Sequence, residues 1–238
     1  MANTILCVFE GERRDIDYFS SVQQHFFPSE TLIKCSYGND LYHLRNELEH
    51  DEDLDIVELI RESTTVPSNR VLLAGIEREE IAEVFLFFDM EPHDDQYAPD
   101  KLQHLIERFN EETEFGKLYV SYPMIEALRD VPSFDLFLNL MVDIDQCRGK
   151  VYKNLSEQRR QAIPQDYRRM TRKHWLDLTS CSIQKAYNIV GIPEISCPEQ
   201  IQIFTAQSQV LTGSGKIYVL SAFPFFLQEY FGESLDNK

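Results

Sequence analysis

An α/β fold, a parallel sheet flanked by helices, is predicted by three features of the sequence. Two short runs are almost wholly apolar, Thr-Ile-Leu-Cys-Val-Phe at 4–9 and Glu-Val-Phe-Leu-Phe-Phe at 83–88. Apolar runs of this length suit strands buried on both faces. Between and beyond them lie segments with apolar residues at helical spacing. The resulting order, β-α-β-α-β-α-β-α, is that of a parallel sheet with helices on both faces.

Each element follows from local pattern. After the strand at 4–9, Ile16, Phe19, Val22 and Phe26 mark one face of a helix over 15–27. Residues 31–37 read as a second strand. Asn39 or Asp40 is placed to cap a helix bearing Leu41, Leu44 and Leu48. Residues 51–82 read as helical and charged, with a break at Pro67. The run 83–88 is the strongest buried-strand signal, and it ends at Asp89-Met90-Glu91-Pro92. A helix near 99–113 carries Leu102, Leu105, Ile106 and Phe109. The next strand is 117–121, and Pro123 is expected in the first turn of a helix. Beyond about 131 the pattern changes. Residues 133–143 are apolar and read as helix, and 148–174 concentrate Arg and Lys. Residues 175–190 form an amphipathic helix around Trp175, Leu178, Ile183 and Tyr187. The tail returns with apolar runs at 216–220 and 223–227, packing back on the core. The expected organisation is an α/β domain over 1–130 and a mainly helical extension over 131–238.

The bulk numbers narrow the function. With 238 residues, 43 % hydrophobic and 26 % charged, the chain reads as an ordinary soluble globular protein. No apolar run approaches the ~20 residues of a membrane-spanning helix, and the first residues lack the pattern of a secretory signal. Five scattered cysteines, none in a Cys-x-x-Cys pair, indicate neither a disulfide framework nor a zinc site. A reducing cytoplasm is the expected location. A net charge of −17 argues against non-specific coating of nucleic acid. It leaves room for a nuclease that meets a polyanion through a local basic patch and bridging metal ions. It also suits docking to a basic partner, although acidic solubility alone explains it.

The chemistry gathers at strand ends. In an open parallel sheet, ligands bind beyond the carboxyl ends of the strands. Glu10 follows the first strand and Asp89 follows the strand at 83–88, so neighbouring strands would aim both carboxylates into one crevice. Glu91 lies within reach, and Glu126 falls in the first turn after the strand at 117–121, where a helix dipole favours a carboxylate. Oxygen ligands of this kind select hard cations such as Mg²⁺ or Mn²⁺. Gly11 allows close approach of the backbone or a tight turn. Among 40 acidic residues some follow strands by chance, and any one of them is more often a solvated loop residue. The joint pattern of Glu-Gly and Asp-x-Glu after the two most apolar strands is more specific.

These residues also carry a resemblance. Val8-Phe9-Glu10-Gly11-Glu12, running on to Asp15-Ile16-Asp17-Tyr18-Phe19, resembles the first motif of Toprim domains. It is closest to the form in nucleases of the overcoming-lysogenization-defect and RloB-like types. Phe87-Phe88-Asp89-Met90-Glu91 resembles their second, Asp-x-Asp, motif, here ending in Glu. The resemblance covers about residues 3–130. It implies a Toprim-like fold and Mg²⁺-dependent phosphodiester cleavage, with Glu10 as metal ligand or general acid/base and Asp89 and Glu91 as metal ligands. Arg13-Arg14 stand where a further acid is expected, which leaves that part to Asp15 or Asp17. The implied setting is antiviral defence, abortive infection included, beside an ATPase partner.

The basic stretch is the candidate nucleic-acid contact. It contains Lys153, Arg159, Arg160, Arg168, Arg169, Arg172 and Lys173, with Tyr152 and Tyr167 placed to stack on bases. The alternative is a solvated helix face paired with the acidic N-terminal half. His93 is a candidate ligand or proton shuttle, though a polar loop histidine is the commoner outcome. Arg129 and Lys117 are candidates to neutralise a phosphate. Phe223, Phe225, Phe226, Tyr230 and Phe231 are expected in the core or at a homo-oligomer interface. Two other readings compete. One is a phosphoacceptor domain, for which Glu10 and Asp89 stand too far apart in sequence. The other is a catalytically silent interaction or nucleic-acid-sensing module.

Overall fold

The computed structural model describes residues 4–27, 31–51, 53–164, 166–193 and 196–237. The first three residues, part of the start that was read as lacking a secretory signal, lie outside these ranges.

A five-stranded sheet has the order β2-β1-β3-β5-β4. Strand β1 (Thr4–Phe9) is buried along its whole length because it lies between two neighbours, β2 (Thr31–Ser36) and β3 (Ile81–Asp89), parallel to both. Strand β5 (Gly116–Ser121) follows, and β4 (Asn110–Glu111) adds a short antiparallel edge. The layer between sheet and helix is aromatic. Phe9 stacks on Phe87 at 5.2 Å, Phe87 on Tyr119 at 5.7 Å, and Phe19 tilts against Phe9 at 5.1 Å. Rings at these separations add to the apolar burial itself.

Helix α1 (Arg14–Phe26) buries Phe19, Val22 and Phe26 of the expected face, with Ile16 half-buried. Helix α2 (Leu41–His50) starts where Asp40 accepts from the His43 N–H at 2.7 Å. The stretch 51–82 is not one charged helix. It forms α3 (Ile56–Glu62), capped by Asp55, then α4 (Ser68–Leu72), which Pro67 opens, and a 3₁₀ turn at Arg78–Glu80. Its last two residues already belong to β3. The buried Asn69 explains why this excursion closes over β2. Its amide accepts from the Ser36 N–H at 3.3 Å and donates to the Ser36 carbonyl at 2.7 Å, doing for this edge strand what a neighbouring strand would.

Helix α5 (Pro99–Arg108) stops short of the expected 113, because Asn110 and Glu111 pair with Lys117 and Gly116. Pro123 does not open a helix. The Tyr122–Pro123 peptide is cis, and a 3₁₀ turn begins only at Ile125 and runs to Arg129.

Residues 133–143 are likewise not one helix. They form α6 (Phe134–Phe137) and β6 (Met141–Asp143), which pairs antiparallel with β7 (Lys216–Tyr218). The β-branched Val142 lies opposite Ile217, a pairing that a local helical pattern does not anticipate. Then come α7 (Gly149–Arg159), α8 (Arg172–Val190), α9 (Gln200–Ser214) and α10 (Ala222–Phe231). The aromatic run 223–227 is thus helical, and Phe223 meets Trp175 of α8 at 6.4 Å. The second half is mainly helical, as expected, with a two-stranded ribbon added.

The chain divides into two compact units, Met1–Phe88 with Asp100–Tyr119, and Asp89–Pro99 with Val120–Lys238. They interleave in sequence where a single boundary at 130 was expected, and both strands β3 and β5 are cut near their ends. Among the described residues no helix is long and apolar enough to cross a membrane, and no cysteine is in a disulfide.

Candidate metal centre

The sheet brings together the carboxylates that the strand pattern singled out. Strands β1 and β3 run side by side with Phe9 opposite Phe87, and the Glu10 N–H donates to the Phe87 carbonyl at 3.1 Å. Glu10 therefore leaves β1 beside the last turns of the β3 ladder. Asp89 is the final residue of β3, inside the strand rather than after it. Glu91 is set by its own backbone. Its N–H donates to the Pro123 carbonyl at 3.1 Å and its carbonyl accepts from Asp94 at 2.9 Å. Its φ is +43°, making it the one non-glycine residue in the left-handed region among those described. That conformation costs a residue with a Cβ about 1 kcal/mol or more, and such strain clusters at functional sites.

Carboxylate oxygens of Glu10, Asp89 and Glu91 lie within 4.8 Å of one another, and each residue is half-buried. Three like charges at such spacing repel by about 1 kcal/mol per pair even in water-like surroundings. A cation relieves that repulsion. The donor set is oxygen only, which fits Mg²⁺ or Mn²⁺ and disfavours metals that prefer sulfur or imidazole.

The other candidates take other places. Glu126 is not a member of this group. It is buried, and its carboxylate faces Lys153 Nζ at 3.8 Å. His93 is half-buried and also outside the group; its Nδ1 is buried without a hydrogen-bond partner among the described residues. Asp15 is buried at the start of α1. A Cβ on Gly11 would stand 2.8 Å from the Asp15 Oδ2, so the glycine leaves room for that carboxylate against the loop after Glu10. Asp17 is half-buried on the same helix and acts on Lys34.

The basic stretch is laced with acids from its own half of the chain. Lys153 faces Glu126, Arg159 pairs with Asp130, Arg160 with Glu157, Arg168 with Asp166 and Lys173 with Asp177. Arg169 also acts on Asp166, and Arg172 donates to the Leu235 carbonyl. Arg129 bonds the Ser156 hydroxyl and the Lys153 carbonyl, and Lys117 lies 5.9 Å from the Tyr119 ring centre. Five cations of this stretch thus face acids that lie between 126 and 177.

Two buried charges escaped the sequence reading. Asp130 accepts from Arg159 and from the Tyr152 hydroxyl, the latter at 2.9 Å. Burial, reinforced by Asp130, pushes the Tyr152 phenol well above its usual range, so it stays a donor. Lys185 lies on α8 between Ser182 and Ala186, both buried. A charged residue on the buried stripe of an amphipathic helix was the available signal for it.

No family model, curated protein or solved structure matches this chain. The functional reading therefore stands on the geometry of the site and on the residue pattern.

Proposed function

We propose that this chain is a divalent-metal-dependent phosphodiesterase, a nuclease of the Toprim type acting on DNA or RNA, in antiviral defence beside an ATPase partner. The observation that carries the reading is the convergence of Glu10, Asp89 and Glu91 on one point at the carboxyl edge of a mainly parallel sheet. Held there, Mg²⁺ or Mn²⁺ supplies a Lewis acid toward a phosphoryl oxygen. Asp89, fixed by the β3 ladder, and Glu91, fixed by its left-handed backbone, hold the ion. Glu10 shares it or moves a proton between attacking water and leaving oxygen. The acidity of the chain opposes approach of a polyanion, and a bound cation would offset that locally.

The internal pairing of Lys153, Arg159, Arg160, Arg168 and Lys173 favours a second reading, a catalytically silent interaction module. One assay separates the two. Purified protein is incubated with plasmid, single-stranded DNA and tRNA in Mg²⁺ or Mn²⁺. Metal-dependent cleavage is expected, reduced on the order of a hundredfold or more in Glu10→Gln. Absence of cleavage of all three, or equal cleavage by the variant, overturns the nuclease reading.

A further inference from the structure

A cation already held by a carboxylate must give up that partner before it can take a phosphate. Five cations of the basic stretch are held in this way, as are Arg45, Arg61 and Arg78 in the first half. Arg13, Lys101, Arg148 and Lys150 differ. Among the described residues their side chains enter no ion pair and no hydrogen bond. Glu12 and Asp100, the acidic chain neighbours of the first two, are exposed and do not pair with them.

Two of these cations stand at the carboxyl edge of the sheet. Arg13 is exposed, in the loop that carries the chain from Glu10 into α1. Lys101 is half-buried in the first turn of α5. Helix α5 ends beside β4, and Glu111 of β4 pairs with Gly116 at the start of β5. The first turn of α5 therefore lies toward the other end of β5. That end is the carboxyl edge, because the Ser121 carbonyl accepts from the Met90 N–H, next to Asp89, at 3.0 Å.

The two cations also belong to opposite faces. The chain crosses the sheet one way from β1 to β2 and the other way from β3 to β5. Right-handed crossovers then put α1 and α5 on opposite sides. The side chains agree. Phe19 of α1 meets Phe87 at 5.5 Å. The next residue, Phe88, points to the other face. There it meets Tyr37 at 5.8 Å, and the Tyr37 ring meets His43 of α2 at 5.9 Å. Leu48 of α2 and Leu105 of α5 line one groove, so α5 shares that second face.

We propose that Arg13 and Lys101 are the phosphate contacts of the nucleic-acid substrate, whose backbone crosses the sheet edge from one face to the other past Glu10. The proposal rests on the nuclease reading and locates its polyanion at the sheet edge, away from the basic stretch. In a chain of net charge −17, unpaired cations beside the reacting edge lower the local repulsion where it matters. The Arg13 guanidinium can fork to two phosphate oxygens, and the Lys101 ammonium acts as a point charge. Such contacts bind without reading sequence, and each releases counterions, so binding weakens as salt rises.

Steady-state kinetics on plasmid, single-stranded DNA and tRNA with Mn²⁺ test the contacts in wild type, Arg13→Gln, Lys101→Gln and the double variant. The double variant is expected to raise KM on the order of tenfold with kcat little changed. Each single variant should flatten the slope of log kcat/KM against log salt by about 0.7 to 0.9. Mn²⁺ affinity should stay that of wild type. Unchanged KM and slope in both single variants overturn the proposal and leave the nuclease reading standing. The same holds if the loss appears instead in the double variant Arg148→Gln, Lys150→Gln. A wild-type chain that cleaves none of the three substrates overturns both.

Discussion

Replacement of Glu91 by glycine is expected to abolish metal-dependent cleavage while leaving the fold at least as stable as wild type. The two effects have separate causes. The side chain supplies one of three converging carboxylates, and its loss removes several kcal/mol of transition-state stabilisation, on the order of a hundredfold or more in rate. The backbone at this position has φ +43°. Glycine adopts that conformation without the penalty of about 1 kcal/mol that a Cβ incurs. Glu91→Ala separates the two effects, because it loses the carboxylate but keeps the strain. Both variants should be inactive, and the glycine variant should be the more stable by about 1 kcal/mol in urea unfolding. A Glu91→Gly protein that cleaves like wild type, or that is less stable than Glu91→Ala, would remove Glu91 from the account.

The largest loss of stability is expected at Asp130, which is not a member of the metal group. This carboxylate is fully buried and receives two hydrogen bonds from Arg159 and one from Tyr152. Asp130→Ala leaves a guanidinium and a phenol without their acceptor, at about 3–5 kcal/mol. That is a large share of the stability of an ordinary domain. Removing the partner charge as well tests the cause. The double variant Asp130→Leu, Arg159→Met should regain much of the loss, because no half-buried guanidinium is then left without its acceptor. A cost below about 1 kcal/mol for Asp130→Ala would mean that the network does not hold α7 in place.

Much of the sheet was legible in the sequence because a central parallel strand must be apolar on both faces. Thr4–Phe9 and the Phe-rich run before Asp89 satisfy that requirement without tertiary information. The two acids at their ends were legible for the same reason: a strand boundary is a local event. Glu91 was visible as a residue but not as a strained one, since its left-handed turn depends on the Pro123 carbonyl brought in by the neighbouring strand. The failures are of one kind. Val142 and Ile217 look alike in a helix or a strand, and only their pairing across a long separation makes a ribbon. Gln207 has no strand-forming tendency, yet its amide holds both the N–H and the carbonyl of Tyr218. The pairing within the basic stretch was hidden for a related reason. Composition counts charges, but Asp130, Glu157, Asp166 and Asp177 arrive beside the cations through helix spacing and folding.

The central claim, that the strand-end acids form a metal centre, is tested most directly by calorimetric titration of the wild-type chain and Asp89→Asn with Mn²⁺. Saturable binding to wild type is expected, weakened on the order of tenfold or more in the variant, with the far-ultraviolet circular dichroism of the two proteins the same. Absence of binding to wild type, or equal affinity in Asp89→Asn, would contradict it.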